Sequence, residues 1–489
     1  MPDSKLGLAT MLATYSADIS LLYAKLTQDM AEAQLESGLV PDIAPEYVVF
    51  DGGFRDSPEW GIAFVMVPIF LYDEYNDTAT LRHAYPAMKR YIEYLATRAD
   101  SRGIIPYGLG DWTQVQQSPI GVTATMVYVE GLEKMRRAAV IVGEPEDARR
   151  FASLAAKAVE GYTATFFNAS KGDYAGCQTA TAMALALGVA QDASLSLRWL
   201  IDDIARSDYR IVTGEIGWPY VVRCLAASGR NDVLQTMLSH VDAPSYGFQL
   251  AQGATALTES FSADPTVSWN HAMDGHIDSW FYETVGGLQA TAAVGSTVLL
   301  APKPIAGVRW TNISRVVASG TVRMRWELTN AARFVVSVSV PAGSTVHLRL
   351  PVADATHVCW GNGSARLETI QVVRLIPEDT PPEDTPRTVL LHLAPGDHVL
   401  SLECGWVREV ESASLPRVGQ SSACPERRDP CIVVAFLWTK NCRNLLYYCC
   451  ITAVLLQGGR RTRTPKAPGP FSPRFPGTRV PEVGVKLQV

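Results

Sequence analysis

Cysteine is scarce: nine in 489 residues, five of them (Cys424, Cys431, Cys442, Cys449 and Cys450) crowded towards the C-terminal end. That density excludes a disulfide scaffold, and with no C-x2-C pair a structural zinc site is not expected either. Charge is thin as well, 19% of residues with a formal net charge of −6. An acidic surplus argues against nucleic acid or an anionic membrane as the main partner. No apolar run reaches the ~20 residues of a membrane span, because Lys440, Asn441, Arg443 and Asn444 split the one tempting segment, 431–457. The N-terminus has no basic stretch followed by a sustained apolar one, so no signal peptide is read; the location is open, with the cytoplasm as default unless the N-terminus is truncated. H-E-x-x-H, G-x-x-x-x-G-K-[ST] and G-x-S-x-G are all missing, which removes three common catalytic chemistries. His271 and His276 stand five apart, a poor ligand spacing, so neither metal nor cofactor is expected.

What is present falls into three textures. The length alone predicts about three domains, or two if one is a large barrel. Residues 1–292 read as helix after helix, near 15–36, 58–76, 79–99, 118–143, 145 onward, 176–188, 190–206, 217–228, 230–241 and 274–289. Ser118 is placed to cap a helix with Pro119 at its first position and Gly143 at its end. Pro145 opens the next, with Glu146 and Asp147 in the first turn, where the helix dipole favours anions. Short connections alternate with long ones rich in Gly, Pro and aromatics, notably 37–57, 100–117 and 242–272, and functional residues concentrate in such loops. Helix hairpins joined in this way predict an (α/α)6 barrel with its long loops gathered at one end. From 293 to 406 apolar and polar residues alternate in β-branched runs broken by turns such as Pro341-Ala342-Gly343, the signature of an antiparallel β-sandwich. Residues 407–489 hold the cysteine cluster and then a basic, Pro- and Gly-rich end, with seven Lys or Arg against one Glu from Gly458 onward. Composition predicts disorder there, a chain end that never packs.

Carboxylates set among aromatics mark the long loops: Asp51-Gly-Gly-Phe-Arg55-Asp56-Ser57-Pro58-Glu59-Trp60-Gly61, then Tyr107-Gly-Leu-Gly-Asp111-Trp112, then Thr213-Gly-Glu215-Ile-Gly-Trp218-Pro219-Tyr220. A fourth runs from Gly253 to Glu259 and is followed by Trp269-Asn270-His271. Carboxylate, Asn and Arg bind hydroxyl groups while Trp faces stack on sugar rings, so the expected partner is a carbohydrate. Cleaving a glycosidic bond takes two carboxyl groups, one acid and one base or nucleophile.

With QTATAMALALG, GATALTES and SWNHAMDG…WFYETVGGL, these blocks resemble the catalytic barrel of glycoside hydrolase family 78, the α-L-rhamnosidases, over residues 18–290. Residues 293–406 resemble the β-sandwich that follows it. The resemblance implies an (α/α)6 barrel that removes terminal α-L-rhamnose with inversion, using no metal or cofactor. It also implies β domains ahead of the barrel, which leads to the expectation of an N-terminally truncated chain. Carried over, Glu259 matches the general base. The family's D-x-x-x-R-D-E block is met by Asp51, Arg55 and Asp56, but Ser57 stands where the acid's Glu is expected. Glu59, two positions on, is therefore the expected acid, with Asp56 in reserve.

Asp51, Arg55 and His271 are expected to bind sugar hydroxyls, and Trp60, Asp111 and Trp112 to line the site, with Trp218 nearby. Each has a structural rival. Ser57-Pro58-Glu59 also reads as a plain helix start, whose dipole lowers a carboxyl pKa when an acid needs it raised. Trp112 and Trp218 could equally be core. Two other functions stay open: a different inverting (α/α)6 glycosidase, or a binding remnant without turnover.

Overall fold

The computed structural model describes residues 15, 17–289, 297–317, 319–329, 333–352, 358–361, 368–369, 374–375 and 387–403. The expected disordered tail and its five cysteines lie outside the described residues. Among the described residues up to 285 the chain is mainly helical: α1 (Ser20–Ala33), α2 (Pro58–Gly61), α3 (Ala63–Tyr75), α4 (Thr78–Arg98), α5 (Val122–Val142), α6 (Pro145–Phe166), α7 (Gln178–Ala186), α8 (Ala193–Arg206), α9 (Trp218–Ala227), α10 (Asn231–Leu238) and α11 (Tyr246–Ala251).

Burial separates these helices into two kinds. In α5 every residue from Val122 to Leu132 is buried, and in α7 every residue from Gln178 to Ala184. Helices α3 and α9 are nearly as enclosed. A helix buried all round must have neighbours on every side. By contrast α6 buries one stripe, through Phe151, Ala155, Ala158 and Tyr162, and α8 buries Ser196, Leu200 and Ile204. Enclosed and one-faced helices alternate along the chain (α3 then α4, α5 then α6, α7 then α8), the arrangement of an inner ring within an outer one.

Local signals work where they are strong. Asp77 caps α4 by accepting from Thr80 N at 2.8 Å, Asp192 caps α8, and Gly143 closes α5 at φ +93. The expected start at Ser118 is corrected: α5 begins at Val122 after Gly121, while Ser118 N and Oγ bond to Gln114 Oε1 at 2.9 and 2.8 Å. A loop side chain outcompetes the cap. Two more differences stand out. The long 242–272 loop contains α11, and the expected helix 274–289 is a 3-10 turn (Met273–His276) leading into a π-helical turn (Trp280–Val285). Cys177 and Cys224 are buried thiols pushed up to about 11 by burial, which leaves them protonated and inert.

The second unit is a two-sheet sandwich. Its strands are β3 (Leu288–Gln289), β4 (Thr297–Leu300), β5 (Trp310–Val317), β6 (Gly320–Thr329), β7 (Arg333–Val340), β8 (Thr345–Val352), β9 (Val358–Gly361), β10 (Glu368–Thr369), β11 (Arg374–Leu375), β12 (Arg387–Leu393) and β13 (Gly396–Glu403); β1 and β2 form a small ribbon at 167–174 in the helical unit. One sheet runs β10-β9-β13-β7-β6-β5, the other β11-β12-β8-β4-β3. Pairing is antiparallel except between β4 and β8, which run parallel. Every second residue is buried: Val322, Met324, Trp326 and Leu328 on β6, then Phe334, Val336, Val338 and Val340 on β7. The two units share a core. Trp326 is fully buried and donates its indole N–H to Val285 O at 2.8 Å, and Lys303 N reaches Thr284 O at 2.9 Å.

Candidate active site

The site is built around a carboxylate that never meets solvent. Asp111 is 1% exposed, and its two oxygens accept from Gly217 N (2.7 Å), Ile216 N (3.0 Å), Gly214 N (2.8 Å) and Thr179 Oγ1 (2.5 Å). Burial raises its pKa, and these four donors pull it back part of the way. The effect is to staple the 107–112 loop to the 213–217 turn. Only glycine allows the approach, since a Cβ on Gly214 would fall 2.0 Å from Trp112 O. One more bond, Glu215 N to Trp112 O at 2.9 Å, sets Trp112 and Glu215 side by side.

Those two residues hold Glu259 and His271. The Trp112 indole N–H donates to Glu259 Oε1 at 2.9 Å, and Ser268 N donates to Glu259 Oε2 at 3.1 Å. The loop closes on itself through Glu259 N to Ser268 O and His271 N to Leu257 O. The His271 ring then stands between two carboxylates: Nε2 lies 3.1 Å from Glu215 Oε1 and Nδ1 lies 3.8 Å from Glu259 Oε2. Glu215 is sealed, whereas the Glu259 and His271 side chains each keep 13% of their surface exposed. Phe54, half exposed, meets Trp112 edge-on at 5.7 Å, and exposed Trp269 follows on the same loop. Asp274 lies deeper, 1% exposed, with no hydrogen-bond partner at either carboxylate oxygen among the described residues. Burial, then the charges of Glu215, Asp111 and Glu259, raise its pKa well above the ordinary value, which favours the neutral acid.

The donor atoms of Glu215, Glu259 and His271 all lie within 4.8 Å of one another, close enough to share a proton or a cation. The three side chains come from two loops, a proximity that the spacing along the chain does not reveal.

Of the expected residues, then, the fold brings Trp112, Glu259 and His271 together and adds Glu215 and Asp274. Glu59 is elsewhere. It is completely buried, with Thr123 Oγ1 donating to Oε1 at 2.6 Å, Gly110 N to Oε1 at 3.2 Å and Ser57 Oγ to Oε2 at 2.7 Å. Gly108 is packed so closely that a Cβ there would fall 2.4 Å from Glu59 Oε2. Burial does raise the Glu59 pKa, as an acid needs, against the lowering pull of its hydrogen bonds. To act as a proton donor Glu59 would have to reach the oxygen it protonates, which requires this sealed position to open. In this position its carboxylate links α2, the 107–112 loop and α5. Asp56, half-buried, accepts from the hydroxyls of Tyr94 and, at 3.1 Å, Tyr107. Burial and then the Asp56 bond push Tyr94 up to about 12, keeping it protonated as donor. Arg55 is clamped by Glu46 at 2.7 and 3.0 Å, and Asp51 is exposed beside it.

Trp60, Asp111 and Trp218, expected at the site, are all buried. Trp60 is 1% exposed; Trp218 is fully buried, edge-on to Phe261 at 6.0 Å and bonded through its indole N–H to Tyr246 Oη at 2.8 Å. Glu215 carried a signal in its Gly-flanked turn, but nothing in sequence pairs that turn with the Asp111 loop. Asp274 carried none.

Residues 4–285 match the family model described as the bacterial α-L-rhamnosidase six-hairpin glycosidase domain, more than half of the chain. The chain belongs to this family. Residues 287–363 match the bacterial α-L-rhamnosidase C-terminal domain. An α-L-rhamnosidase of Streptomyces avermitilis is 27% identical over 365 residues, covering 72% of this chain and 35% of the relative, and one of Alteromonas sp. is 26% identical over 352 residues, covering 67% and 38%. Among solved structures, the α-L-rhamnosidase of Dictyoglumus thermophilum superposes with TM-score 0.73 at 23% identity, covering 82% of this chain and 45% of that one. The Streptomyces avermitilis enzyme complexed with L-rhamnose superposes with TM-score 0.72 at 24% identity, covering 82% and 38%. These structures establish the shared fold, a helical hairpin domain followed by a sandwich. This chain spans well under half the length of the relatives it matches.

Proposed function

We propose that this six-hairpin domain acts on terminal α-L-rhamnosides, with Glu259 as the general base. The observation that carries the reading is Glu259 itself: a partly exposed carboxylate, oriented by two N–H donors, beside an aromatic wall and an imidazole suited to sugar hydroxyls. Such a group can take a proton from a water attacking the anomeric carbon, the base's part in inversion. Trp112 orients the base, His271 contacts the sugar, and the substrate is a rhamnosylated glycoside or glycan.

A second reading keeps the sugar and drops the turnover. It is favoured by the sealed position of Glu59, which leaves the base without its expected partner. The leaving group separates the two. A p-nitrophenolate departs with little protonation, whereas an alkoxide needs an acid. The test is turnover of p-nitrophenyl α-L-rhamnoside and methyl α-L-rhamnoside by wild type and Glu259→Gln. Hydrolysis of the nitrophenyl substrate that falls by about 10²–10⁴ in the variant supports Glu259 as base. Saturable L-rhamnose binding with no hydrolysis of either substrate selects the binding reading, and absence of both sinks the proposal.

A further inference from the structure

The interaction that the known chemistry leaves unexplained is the one behind His271. Glu215 is completely buried, an expensive place for a carboxyl group unless it does something there. Its backbone is fixed from two directions, by the Asp111 staple on its neighbours and by the bond to Trp112 O. Its carboxylate therefore presents at a set position, and what it meets is His271 Nε2 at 3.1 Å. The opposite ring nitrogen, Nδ1, faces Glu259 at 3.8 Å, beyond hydrogen-bond reach but beside the base.

We propose that Glu215 is a positioning residue that fixes the tautomer and orientation of His271, and through it the surroundings of the base Glu259. The argument is one of donors and acceptors. The pair is not aligned as a hydrogen bond, but a bare ring nitrogen would set two lone pairs 3.1 Å apart, so the contact favours a proton on Nε2. The ring proton is then assigned to the inner side, and Nδ1 is the nitrogen left facing Glu259 and an incoming hydroxyl. The His271 backbone, bonded to Leu257 O, places the residue but leaves the ring free to turn; Glu215 removes that freedom. A buried acid holding an imidazole in one tautomer beside the reacting group is the logic of the third member of a hydrolytic triad, applied here to a group that contacts sugar. The proposal rests on the reading of Glu259 as base only in its kinetic consequence.

The first test uses the full wild-type chain labelled with 15N-histidine, with the His271 signals assigned by their loss in His271→Asn. Long-range 1H–15N spectra should show Nε2 protonated, and that pattern should change in Glu215→Gln. A wild-type ring with Nε2 bare overturns the proposal whether or not any substrate is hydrolysed. The second test is a kinetic cycle on p-nitrophenyl α-L-rhamnoside. Glu215→Gln should lower kcat about tenfold or more while KM moves less than about threefold, and should add no further loss in a His271→Asn background. Losses that multiply independently would show Glu215 acting by some other route. Glu215→Asp, which keeps the acceptor, should recover part of the loss; a variant as slow as the glutamine overturns the proposed role. If wild type itself turns over nothing, the base reading fails while the tautomer measurement still decides this one.

Discussion

Four carboxyl groups near the site differ less in chemistry than in what surrounds each. Asp111 is buried among four donors, Glu59 among three, Asp274 has no hydrogen-bond partner at its carboxylate among the described residues, and Glu259 alone of the four keeps a wetted edge. Only the last arrangement suits proton exchange with water. The others tie loops together at a cost in desolvation that hydrogen bonds offset, or, for Asp274, that protonation relieves. This yields a prediction for Glu59→Gln. The amide oxygen can still accept from Thr123 and Gly110 while its NH2 meets Ser57 Oγ, so the variant folds with a loss of about 1–3 kcal/mol, measurable by urea denaturation. Its turnover of p-nitrophenyl and alkyl α-L-rhamnosides should fall in equal proportion. A far steeper fall on the alkyl substrate would mark Glu59 as the acid after all and show that the sealed position opens during catalysis.

At the scale of elements, helices were legible because alternation of enclosed and one-faced segments leaves a strong periodic trace, and strands because their burial period is two. What failed did so locally. Ser118 has every mark of a cap, yet Gln114, four residues earlier in an irregular loop, claims its N–H and hydroxyl. The 3-10 and π turns of 273–285 replace a regular helix where Tyr246 must reach Asp274 O and Val285 O must turn to Trp326. The site was half legible for a related reason: Trp112, Glu259 and His271 come from loops whose composition announces them, whereas the pairing of the Glu215 turn with the Asp111 loop is a long-range contact no local pattern encodes.

One element-scale prediction follows from the α4–α6 contact. Asp147, in the first turn of α6 as its position near Pro145 suggested, accepts from Lys89 Nζ at 2.7 and 2.8 Å and Tyr85 Oη at 2.8 Å, both on α4. Partial desolvation opposes ionisation, but the Lys89 and Tyr85 bonds outweigh it and hold the Asp147 carboxyl below its ordinary value. With the folded pKa depressed, the stabilisation is present above the ordinary carboxylate range and is lost as pH falls through the folded value. Asp147→Asn should cost about 1–3 kcal/mol at neutral pH and progressively less in acid. A wild-type-minus-variant difference in urea midpoint that stays constant from neutral pH into acid would contradict the pairing.

For the whole molecule, the question is whether the helical unit and the sandwich are two folding units or one. Their contact is not a polar surface of the sort that separates independent domains. Trp326, fully buried on β6, reaches back to Val285 O at the end of the last turn of the helical unit. Gly286 beside it leaves no room for a side chain, since a Cβ would fall 2.9 Å from Ile313 on β5. Arg315 on β5 pairs with Glu74 on α3, both mostly buried. A single contiguous core runs from Ile19 to Leu400 through these residues. The chain should therefore unfold in one calorimetric transition covering both units. Trp326→Ala removes a large buried ring and strands a carbonyl, at a cost of about 3–5 kcal/mol. Because that ring belongs to both units, its loss should lower the melting of the helices, followed by far-UV circular dichroism at the helical band, as much as that of the strands. Helices that melt at the wild-type temperature while the sandwich melts early would show that the core is divided at residue 286 and that the barrel stands without its partner.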